Sequence, residues 1–398
     1  MCSANANDIL PEPPEELKHL SAELANRIRK RIASVGPIPF SQYMEMALYE
    51  PGLGYYSAGL QKFDAGGDFV TAPQLGNVFA RCLANQVAQI GATLPAYEIV
   101  EAGAGSGILA ADLLKALQDR HPPACYRILE RSAYLRQVQK ETLQEQVPGW
   151  LDRISWLDEP PAESWQGVFL ANEVLDALTV ERFCLGSDGP HLMQVTSGPD
   201  GFEWCKASCP EPMQTQIETL LDGLDPRPGA GYCSEINTRL PDWLEAVTAS
   251  LQYGLALFID YGYTRRDYYL PHRSDGTLIC HYRQRAHNDP FAWPGLTDIS
   301  ASVDFTALAE AADRCGFEVS GYTTQAMFLL ACGLDKILAE CDNLSARERI
   351  RITNQVRLLT LPGEMGERFQ VMALSRGLDE GISSKLSGFS ITDLCHRL

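Results

Sequence analysis

The segment VEAGAGSG, residues 100–107, carries an acid followed by a run of alternate glycines. Glu101 stands two positions before Gly103, and Gly105 and Gly107 follow. Because glycine has no side chain, such a turn lets a ligand approach the backbone closely. A carboxylate at this point favours a cationic or amine-bearing ligand and disfavours a pyrophosphate. The segment therefore indicates a binding site for a ligand that carries positive charge.

The spacing of the glycines separates this turn from two common phosphate-binding loops. The dinucleotide fingerprint G-x-G-x-x-G needs its third glycine at position 108, which is Ile108. A Walker A loop needs Gly-Lys followed by Ser or Thr, and no such sequence follows the turn. Nucleotide-like ligands of another kind are therefore favoured.

A second acid, Glu130, ends the next predicted strand, 23 residues after Gly107. A carboxylate there can accept hydrogen bonds from both hydroxyls of a ribose. Glu101 and Glu130 around the glycine turn together fit S-adenosylmethionine, which has a ribose, an amino-acid end and a positive sulfonium. A strand–helix turn that binds no ligand and a Rossmann-like oxidoreductase remain as alternatives.

An alternation of short apolar runs and amphipathic segments surrounds the turn and must position these acids. It predicts strands at 97–102, 125–130, 153–156, 166–171 and 254–262, and helices at 107–119, 132–145 and 239–250. Strands that alternate with helices form a mostly parallel sheet with helices on both faces. The predicted fold class is α/β and doubly wound, a fold that binds ligands beyond the carboxyl ends of its strands.

Other segments interrupt this alternation. In HLMQVTSGPDGFEWC, the turn SGPDG between two strand-like runs predicts an antiparallel hairpin. The predicted layout is a flexible N-terminus, a helical and loop-rich cap, a binding domain, and a C-terminal tail, at 1–14, 15–92, 93–376 and 377–398. Insertions in the binding domain are expected near 180–235, 263–303 and 324–358.

Composition narrows the classes of function. The 398 residues carry a net charge of −18, which disfavours binding to nucleic acid. No run of apolar residues approaches the length of a membrane span, so membrane insertion is not expected. The N-terminus lacks a basic start followed by an apolar run, and the expected location is the cytoplasm.

The twelve cysteines are scattered along the chain. Cys205 and Cys209 are the closest pair, and no second pair lies near them in sequence, so no metal site is expected. Reduced and mostly buried thiols are the expected state, because the sequence shows no secretory signal.

Seven stretches resemble a family of class I methyltransferases. This family includes the mitochondrial complex I assembly factor that symmetrically dimethylates an arginine, together with its bacterial (MidA-like) relatives. The resemblance covers roughly 17–376 and rests on GPIPFSQYMEMALYEPGLGYY, GGDFVTAPQLGNVF, VEAGAGSGILAADLL, ILERSAYLRQVQKETL, FLANEVLDALTVERF, FIDYGY and HNDPFAWPGLTDISASVDF. It implies a seven-stranded Rossmann-like methyltransferase sheet with an N-terminal helical cap, and S-adenosyl-L-methionine as the cofactor.

The resemblance also implies which residues bind the cofactor. The positions of its cofactor loop, its ribose acid and its GDF(I/V)T segment are Glu101, Gly103, Ala104, Gly105, Gly107, Glu130, Gly67, Asp68, Phe69 and Thr71. This chain departs from the family pattern at several places. Ala104 stands where proline is common, Gln74 where the family usually has Glu, and Thr179 where it usually has Pro.

The E-x-x-D segment of the family falls on Glu173 and Asp176, after the strand 166–171. The two acids would share a face if 172–178 were helical. Carboxylates that grip a guanidinium could orient one nitrogen toward the methyl group, and one could accept a proton. Asn172 is expected to bond the cofactor or the transferring amine. The alternative is that both acids only cap the turn and bridge to Arg182.

Three further sets of residues are candidates near the pocket. His287 is a candidate substrate-side base or hydrogen-bond partner, although a loop histidine is often structural. Asp260 ends a buried strand, where it could reach the pocket or hold the fold. Tyr55 and Tyr56 could wall a substrate channel or pack in the cap.

The expected function is methyl transfer from S-adenosyl-L-methionine to a protein, with arginine as the target on the strength of the resemblance. The resemblance also suggests a subunit of a respiratory-type complex as the substrate. Two alternatives remain: a non-catalytic assembly or chaperone module that retains the fold, and a methyltransferase for small molecules.

Overall fold

The computed structural model describes residues 10–59, 71–341 and 344–398. Contacts between residues divide the chain into two compact units. The first unit contains residues 10–59, Asp176–Leu240 and Tyr263–Asp304, and the second contains residues 71–175, Pro241–Gly262 and Phe305–Leu398 apart from 342 and 343. The first unit therefore unites the N-terminal helices with the segments 180–235 and 263–303, which the sequence predicts as insertions.

The elements of both units are numbered in chain order. The helices are α1 (Glu15–Val35), α2 (Phe40–Tyr49), α3 (Ala72–Leu75), α4 (Val78–Gly91), α5 (Ile108–Leu117), α6 (Ala133–Gln146), α7 (Glu211–Asp222), α8 (Leu240–Thr248), α9 (Arg265–Tyr268), α10 (Phe305–Arg314), α11 (Gln325–Ala331), α12 (Leu334–Glu340), α13 (Ala346–Thr360), α14 (Met365–Arg368) and α15 (Glu380–Ser383). The strands are β1 (Ile38–Pro39), β2 (Glu98–Ala102), β3 (Cys125–Leu129), β4 (Ile154–Leu157), β5 (Trp165–Asn172), β6 (Glu181–Gly186), β7 (Gly189–Gly198), β8 (Gly201–Ser208), β9 (Cys233–Ile236), β10 (Leu251–Tyr263), β11 (Ile279–Tyr282), β12 (Arg285–His287), β13 (Asp298–Ser300), β14 (Val303–Asp304), β15 (Glu318–Thr324) and β16 (Phe369–Arg376).

The second unit is built on a sheet in which seven strands follow the order β15-β16-β10-β5-β2-β3-β4. The pairs from β10 to β4 are parallel, and β16 pairs antiparallel with both β10 and β15. This order confirms the mostly parallel, doubly wound α/β fold. The carboxyl ends of β2, β3, β5 and β10 lie at one edge of this sheet, because these strands run in the same direction.

The central strands are apolar because helices cover both of their faces. Residues Leu255–Ile259 of β10 are at most 1% exposed, as are the α5 leucines Leu113, Leu114 and Leu117. Each such leucine contributes about 2 kcal/mol through burial. Phe389, in the C-terminal segment 377–398, also packs in this core.

The first unit contains two smaller antiparallel sheets. One follows the order β1-β7-β6-β9, with β8 paired to β7, and the other follows β12-β11-β13. Strands β7 and β8 form the hairpin predicted at SGPDG, with Gly198 opposite Gly201. Helices α1 and α2 supply Ile28, Phe40 and Tyr43 to a core that also contains Val195 of β7.

The cysteines differ in part from expectation. A disulfide joins Cys184 of β6 to Cys233 of β9, two residues that face each other directly in the antiparallel register. The expectation of reduced thiols is wrong for this pair, because strand pairing brings together cysteines that are 49 positions apart. The other cysteines of the described ranges are free.

Among residues 10–59, 71–341 and 344–398, none of the helices has both the length and the apolar composition that a membrane crossing requires.

Candidate functional site

The glycine turn connects β2 to α5 in the second unit. Gly103, Gly105 and Gly107 have φ angles of 63°, 52° and 81°, in the left-handed region that side chains disfavour. The N–H of Gly103 donates to the carbonyl of Leu129 at 3.1 Å, and that of Gly107 donates to the carbonyl of Ala104 at 2.8 Å. Two of the three alternate glycines thus hold the turn by their own backbone hydrogen bonds.

Close packing is a second reason for these glycines. A Cβ atom on Gly103 would lie 2.9 Å from Cγ2 of Val174, and one on Gly107 would lie 3.2 Å from Cα of Gln139. Ala104, between them, is 7% exposed. The turn is therefore a tight cradle with no side chain at its three glycine positions.

Glu101 lies near the end of β2 and is 2% exposed. Its Oε2 accepts a hydrogen bond of 2.7 Å from the hydroxyl of Tyr126, on the neighbouring strand β3. Burial raises the pKa of Glu101 to about 7, against the lowering effect of the Tyr126 hydrogen bond, and the nearby Glu130 raises it further. Positive charge placed beside this carboxylate would favour its ionised form.

Glu130 follows β3 and is 8% exposed. Its Oε1 accepts from the backbone N–H of Ser132 at 2.8 Å, and its Oε2 accepts from the amide of Gln139 at 3.2 Å. Burial raises the pKa of Glu130, and these hydrogen bonds oppose the rise. The carboxylate is therefore held in a set orientation at the edge of the sheet where Glu101 also lies.

Neither acid forms an ion pair with a lysine or arginine of the described ranges. The positive charge of the nearby Arg136 partly compensates Glu130 and lowers its pKa. Burying the Glu101 carboxylate without a cationic partner costs free energy, which a positively charged ligand offsets. The polar groups at this edge are two buried carboxylates beside a glycine cradle. It fits a nucleoside that carries ribose hydroxyls and positive charge, as S-adenosyl-L-methionine does.

Asn172 ends β5 at the same edge of the sheet, and Glu173 follows it. The amide nitrogen of Asn172 donates to Oε1 of Glu173 at 3.1 Å. The amide oxygen of Asn172 is buried and has no hydrogen-bond partner in the part of the chain that the structure describes. Such an acceptor is available to an N–H group of a ligand.

Glu173 has a φ of 56°, an uncommon conformation for a residue other than glycine. The turn that follows is held by Asp260 of β10, whose Oδ2 accepts from the N–H groups of Val174 and Leu175 at 3.1 and 2.9 Å. Segment 172–178 is thus a turn and not a helix, so Glu173 and Asp176 do not share a helical face. Asp260 is 1% exposed, which favours its fold-positioning role.

Thr71 precedes α3 and forms a capping box with Gln74. The backbone N–H of Thr71 donates to the side-chain oxygen of Gln74 at 3.1 Å. The amide oxygen thus makes the cap at the position where the resembled family usually has Glu. The other predicted members of this segment, Gly67, Asp68 and Phe69, lie outside the described residues.

Asp176 belongs to the first unit and is 8% exposed. Its carbonyl accepts from the N–H of Ala301 at 3.1 Å. The pKa of Tyr56 is raised mainly by burial. Nearby groups that include Asp298 and Asp176 raise it further. Tyr56 itself stacks on Tyr49 with ring centroids 5.5 Å apart.

Arg182 and Tyr55 belong to the alternative interpretations, and the structure gives both of them contacts within the first unit. Arg182 pairs with Glu235 and Asp275 within the first unit, so its guanidinium is already occupied by other carboxylates. Tyr55 is 4% exposed and packs in the core of the first unit. Tyr55 therefore lies in the cap core rather than along an open wall.

His287, in β12 of the first unit, is half-buried. Its Nδ1 accepts from the backbone N–H of Asp289 at 3.3 Å, and its Nε2 is buried with no partner among the described residues. Burial lowers the pKa of His287, against the raising effect of Asp289. A neutral ring that accepts at Nδ1 carries its proton on Nε2, so this nitrogen is a hydrogen-bond donor and not a base.

Two residues of the site escaped prediction from the sequence: Tyr126 and Gln139. Only Gln139 left a usable signal. It lies on the buried face of α6 with Leu135 and Leu143, at positions four residues apart. A polar residue inside an apolar stripe indicates a buried hydrogen-bonding role.

Comparison with known proteins shows which family has this architecture. A family model described as "Putative S-adenosyl-L-methionine-dependent methyltransferase" matches residues 78–323. A crystal structure from Burkholderia thailandensis, bound to S-adenosyl-homocysteine, has 41% sequence identity and a TM-score of 0.92. The match covers 98% of this chain and 100% of that chain.

Two curated relatives are similar over most of their length. A mitochondrial protein from Drosophila melanogaster, named as a protein arginine methyltransferase NDUFAF7 homolog, is 28% identical over 92% of this chain and 90% of its own. The mitochondrial protein arginine methyltransferase NDUFAF7 of Bos taurus is 29% identical over 91% of this chain and 85% of its own.

These names correct one expectation. Both relatives are described as mitochondrial, which contradicts the cytoplasmic location expected from the N-terminus. The expectation rested on the absence of a presequence pattern, and that absence does not decide where a protein works.

Proposed function

Because the chain belongs to the family of S-adenosyl-L-methionine-dependent methyltransferases whose model it matches, we propose that it transfers the methyl group to an arginine side chain of a protein. Relatives named as protein arginine methyltransferases support this target, since they align with about nine-tenths of the chain. The strained Glu173 at the carboxyl end of β5 is the observation in this chain that carries the proposal.

The residues proposed to hold the cofactor lie around the glycine turn of the second unit. The backbone of Gly103, Ala104, Gly105 and Gly107 would take its amino-acid part, with Glu101 offering charge to the amine. Glu130 would accept from the ribose hydroxyls. S-adenosyl-L-methionine supplies the electrophilic methyl group on its sulfonium, and the chain's own residues bind, orient and exclude water.

Glu173 is the proposed grip for the target. A guanidinium presents a planar fork of N–H donors, which a carboxylate accepts in paired fashion. The positive φ of Glu173 costs about 1–2 kcal/mol, and the bonds from Val174 and Leu175 to Asp260 maintain it. Strain that the surroundings stabilise is typical of functional residues.

Asn172 is proposed to support this grip in two ways. Its amide nitrogen bonds Oε1 of Glu173, which limits rotation of the carboxylate. Its buried amide oxygen can accept from a guanidinium N–H or from the cofactor's amine. As a nitrogen is methylated, the guanidinium must lose one proton, and the Glu173 carboxylate is the proposed acceptor.

Asp176 and His287 belong to the first unit, and their catalytic roles stay predictions. If His287 contacts the substrate, it does so as a donor through Nε2, because its Nδ1 is bonded to the N–H of Asp289. Methyl transfer to a folded or extended protein is the proposed reaction, and no particular partner is assigned.

The test uses purified protein, S-adenosyl-L-methionine labelled on its methyl group, and an extract of proteins from cells that lack this chain. We expect label in the protein fraction, recovered as methylarginine after acid hydrolysis. Glu173→Gln keeps the shape and removes the charge, so it should lower transfer by about 100-fold or more. Its calorimetric affinity for S-adenosyl-homocysteine should stay within about 3-fold of wild type, since Glu173 is assigned to the target.

Glu318→Gln is the matched control, because it makes the same change at an exposed position of β15 in the same unit. It should leave transfer unchanged. Label found only in small molecules, or on residues other than arginine, would overturn the proposed target. Full activity of Glu173→Gln would remove Glu173 from the reaction.

A further inference from the structure

Gln139 is a fully buried polar residue on an otherwise apolar helix face. It is 0% exposed, and Leu135 and Leu143, one turn away on either side, are 7% and 0% exposed. Burying an amide is costly unless all of its hydrogen-bonding groups find partners. Its presence at a core position therefore calls for a specific role.

The side chain of Gln139 connects three separate elements. Its Nε2 donates to the carbonyl of Gly105 at 3.0 Å and to Oε2 of Glu130 at 3.2 Å. Its Oε1 accepts from Nε1 of Trp156, on β4, at 2.9 Å. Both amide hydrogens are used, so Gln139 has no donor left for a ligand.

Glu130 is held by this amide in a particular way. The Ser132 N–H bonds one carboxylate oxygen and Gln139 bonds the other, so the plane of the carboxylate is set. Because Gln139 is neutral, it holds Glu130 without neutralising its charge. The backbone N–H of Arg131 also acts on this carboxylate. A carboxylate has about four acceptor positions, so these bonds leave acceptor capacity for hydroxyl donors.

The glycine turn is held by the same helix position. The carbonyl of Gly105 is bonded to Gln139, and a Cβ on Gly107 would lie 3.2 Å from its Cα. One residue thus fixes both the turn that faces one end of the ligand and the acid that faces its sugar. The spacing between the two is set by the protein before any ligand binds.

We propose that Gln139 is a positioning residue that orients Glu130 toward the paired hydroxyls of a ribose, and that Trp156 holds the Gln139 amide in this orientation. The inference rests on the role of Glu130 in the proposed function. It predicts that the site distinguishes a ribonucleoside from its 2′-deoxy analogue chiefly through this arrangement, because a correctly aimed carboxylate gains from both hydroxyls.

The test measures binding without any methyl acceptor. S-adenosyl-homocysteine and its 2′-deoxy analogue are titrated by calorimetry into wild type, Gln139→Met and Gln137→Met. Methionine matches the size of glutamine and removes its hydrogen bonds. Gln137 lies on the same helix, is exposed, and bonds only Glu141 among the described residues, so its replacement is the matched control.

Wild type and Gln137→Met should prefer the ribonucleoside by about 10-fold or more, as expected for hydrogen bonds to a charged group. Gln139→Met should weaken S-adenosyl-homocysteine by about 10-fold and the 2′-deoxy analogue by less than about 3-fold. The preference between the two ligands should therefore largely disappear. Trp156→Phe, which removes the indole N–H donor and leaves a smaller ring, should reduce the preference by a smaller factor.

Circular dichroism during thermal unfolding checks that each variant folds, and Trp156→Phe carries the test if Gln139→Met does not. Equal weakening of both ligands, or no weakening, would overturn the positioning role. If wild type itself failed to bind S-adenosyl-homocysteine, the cofactor site and this inference would fall together. If wild type binds but methylates no arginine, only the proposed target is lost.

Discussion

Two turns at one edge of the same sheet obtain positive φ angles by different means. The turn after β2 uses Gly103, Gly105 and Gly107, for which the left-handed region carries no side-chain penalty. The turn after β5 places Glu173 in that region and depends on Asp260, 85 residues away from Leu175. The first turn is stable by its composition, whereas the second is stable only in the folded sheet.

In the proposed site, a fixed cradle stands beside the group that is proposed to react. A glycine turn offers backbone to a ligand and has no side chain that could react. A strained glutamate presents a carboxylate in a set direction, and the fold must supply the free energy that holds it there. The following predictions test this division, in order of the size of their expected effect.

Asp260→Ala should have the largest effect, because it removes the support of the second turn. The N–H groups of Val174 and Leu175 would lose their acceptor, and the free energy of unfolding should fall by about 4 kcal/mol. Asp260→Asn, which keeps one carbonyl oxygen, should lose less. Urea unfolding measures both changes.

Asp313→Ala is the control for this substitution, since Asp313 is exposed in the same unit and the loss there should be below about 0.5 kcal/mol. A similar loss for Asp260→Ala and Asp313→Ala would show that the second turn holds its shape without Asp260.

The acid before the first turn should make stability depend on pH. The pKa of Glu101 is about 7 in the folded chain, above the ordinary value of 4.5, because the carboxyl is buried. Between these two pH values the folded state keeps a proton that the unfolded state has lost. The stability that this group contributes is therefore full below about pH 4.5, falls as the pH rises to about 7, and then stays level. The total fall is at most about 3 kcal/mol.

Glu101→Gln should abolish this slope, so unfolding of wild type and variant is compared across pH 4.5–7.5. Tyr126→Phe should extend the decline to higher pH, because the hydroxyl that lowers the pKa is gone. A difference between wild type and Glu101→Gln that does not vary with pH would contradict the assignment.

Exchanging the residue types of the two turns should give effects of opposite sign. Glu173→Gly relieves the positive φ and should stabilise the fold by about 1 kcal/mol while methyl transfer falls. Gly107→Ala adds a Cβ 3.2 Å from Gln139 at a φ of 81° and should destabilise by about 1 kcal/mol. Thermal unfolding tests both, and destabilisation by Glu173→Gly would mean that Glu173 is not strained.

Much of the second unit was predictable because its signals are local. Apolar runs such as GLALFIDYG predict buried strands, and Ile108 in place of a third fingerprint glycine disfavours a dinucleotide. The hairpin at SGPDG was predictable from its turn residues. For Asp260, fold-holding was one of two predicted alternatives. Its partners Val174 and Leu175 were not predictable, because they lie far away in sequence and β5 and β10 must first pair.

By itself, the sequence determined the strand–helix alternation, the glycine cradle, and the acids Glu101 and Glu130 that accompany it. Periodicity and residue type express these features over a few neighbouring positions. Tertiary structure alone decided that Gln139 joins the cradle to Glu130, that Glu173 is held in a strained turn, and that Cys184 meets Cys233. Each of these depends on strands and helices that pair only after the chain has closed loops of tens of residues. No local pattern records such a contact.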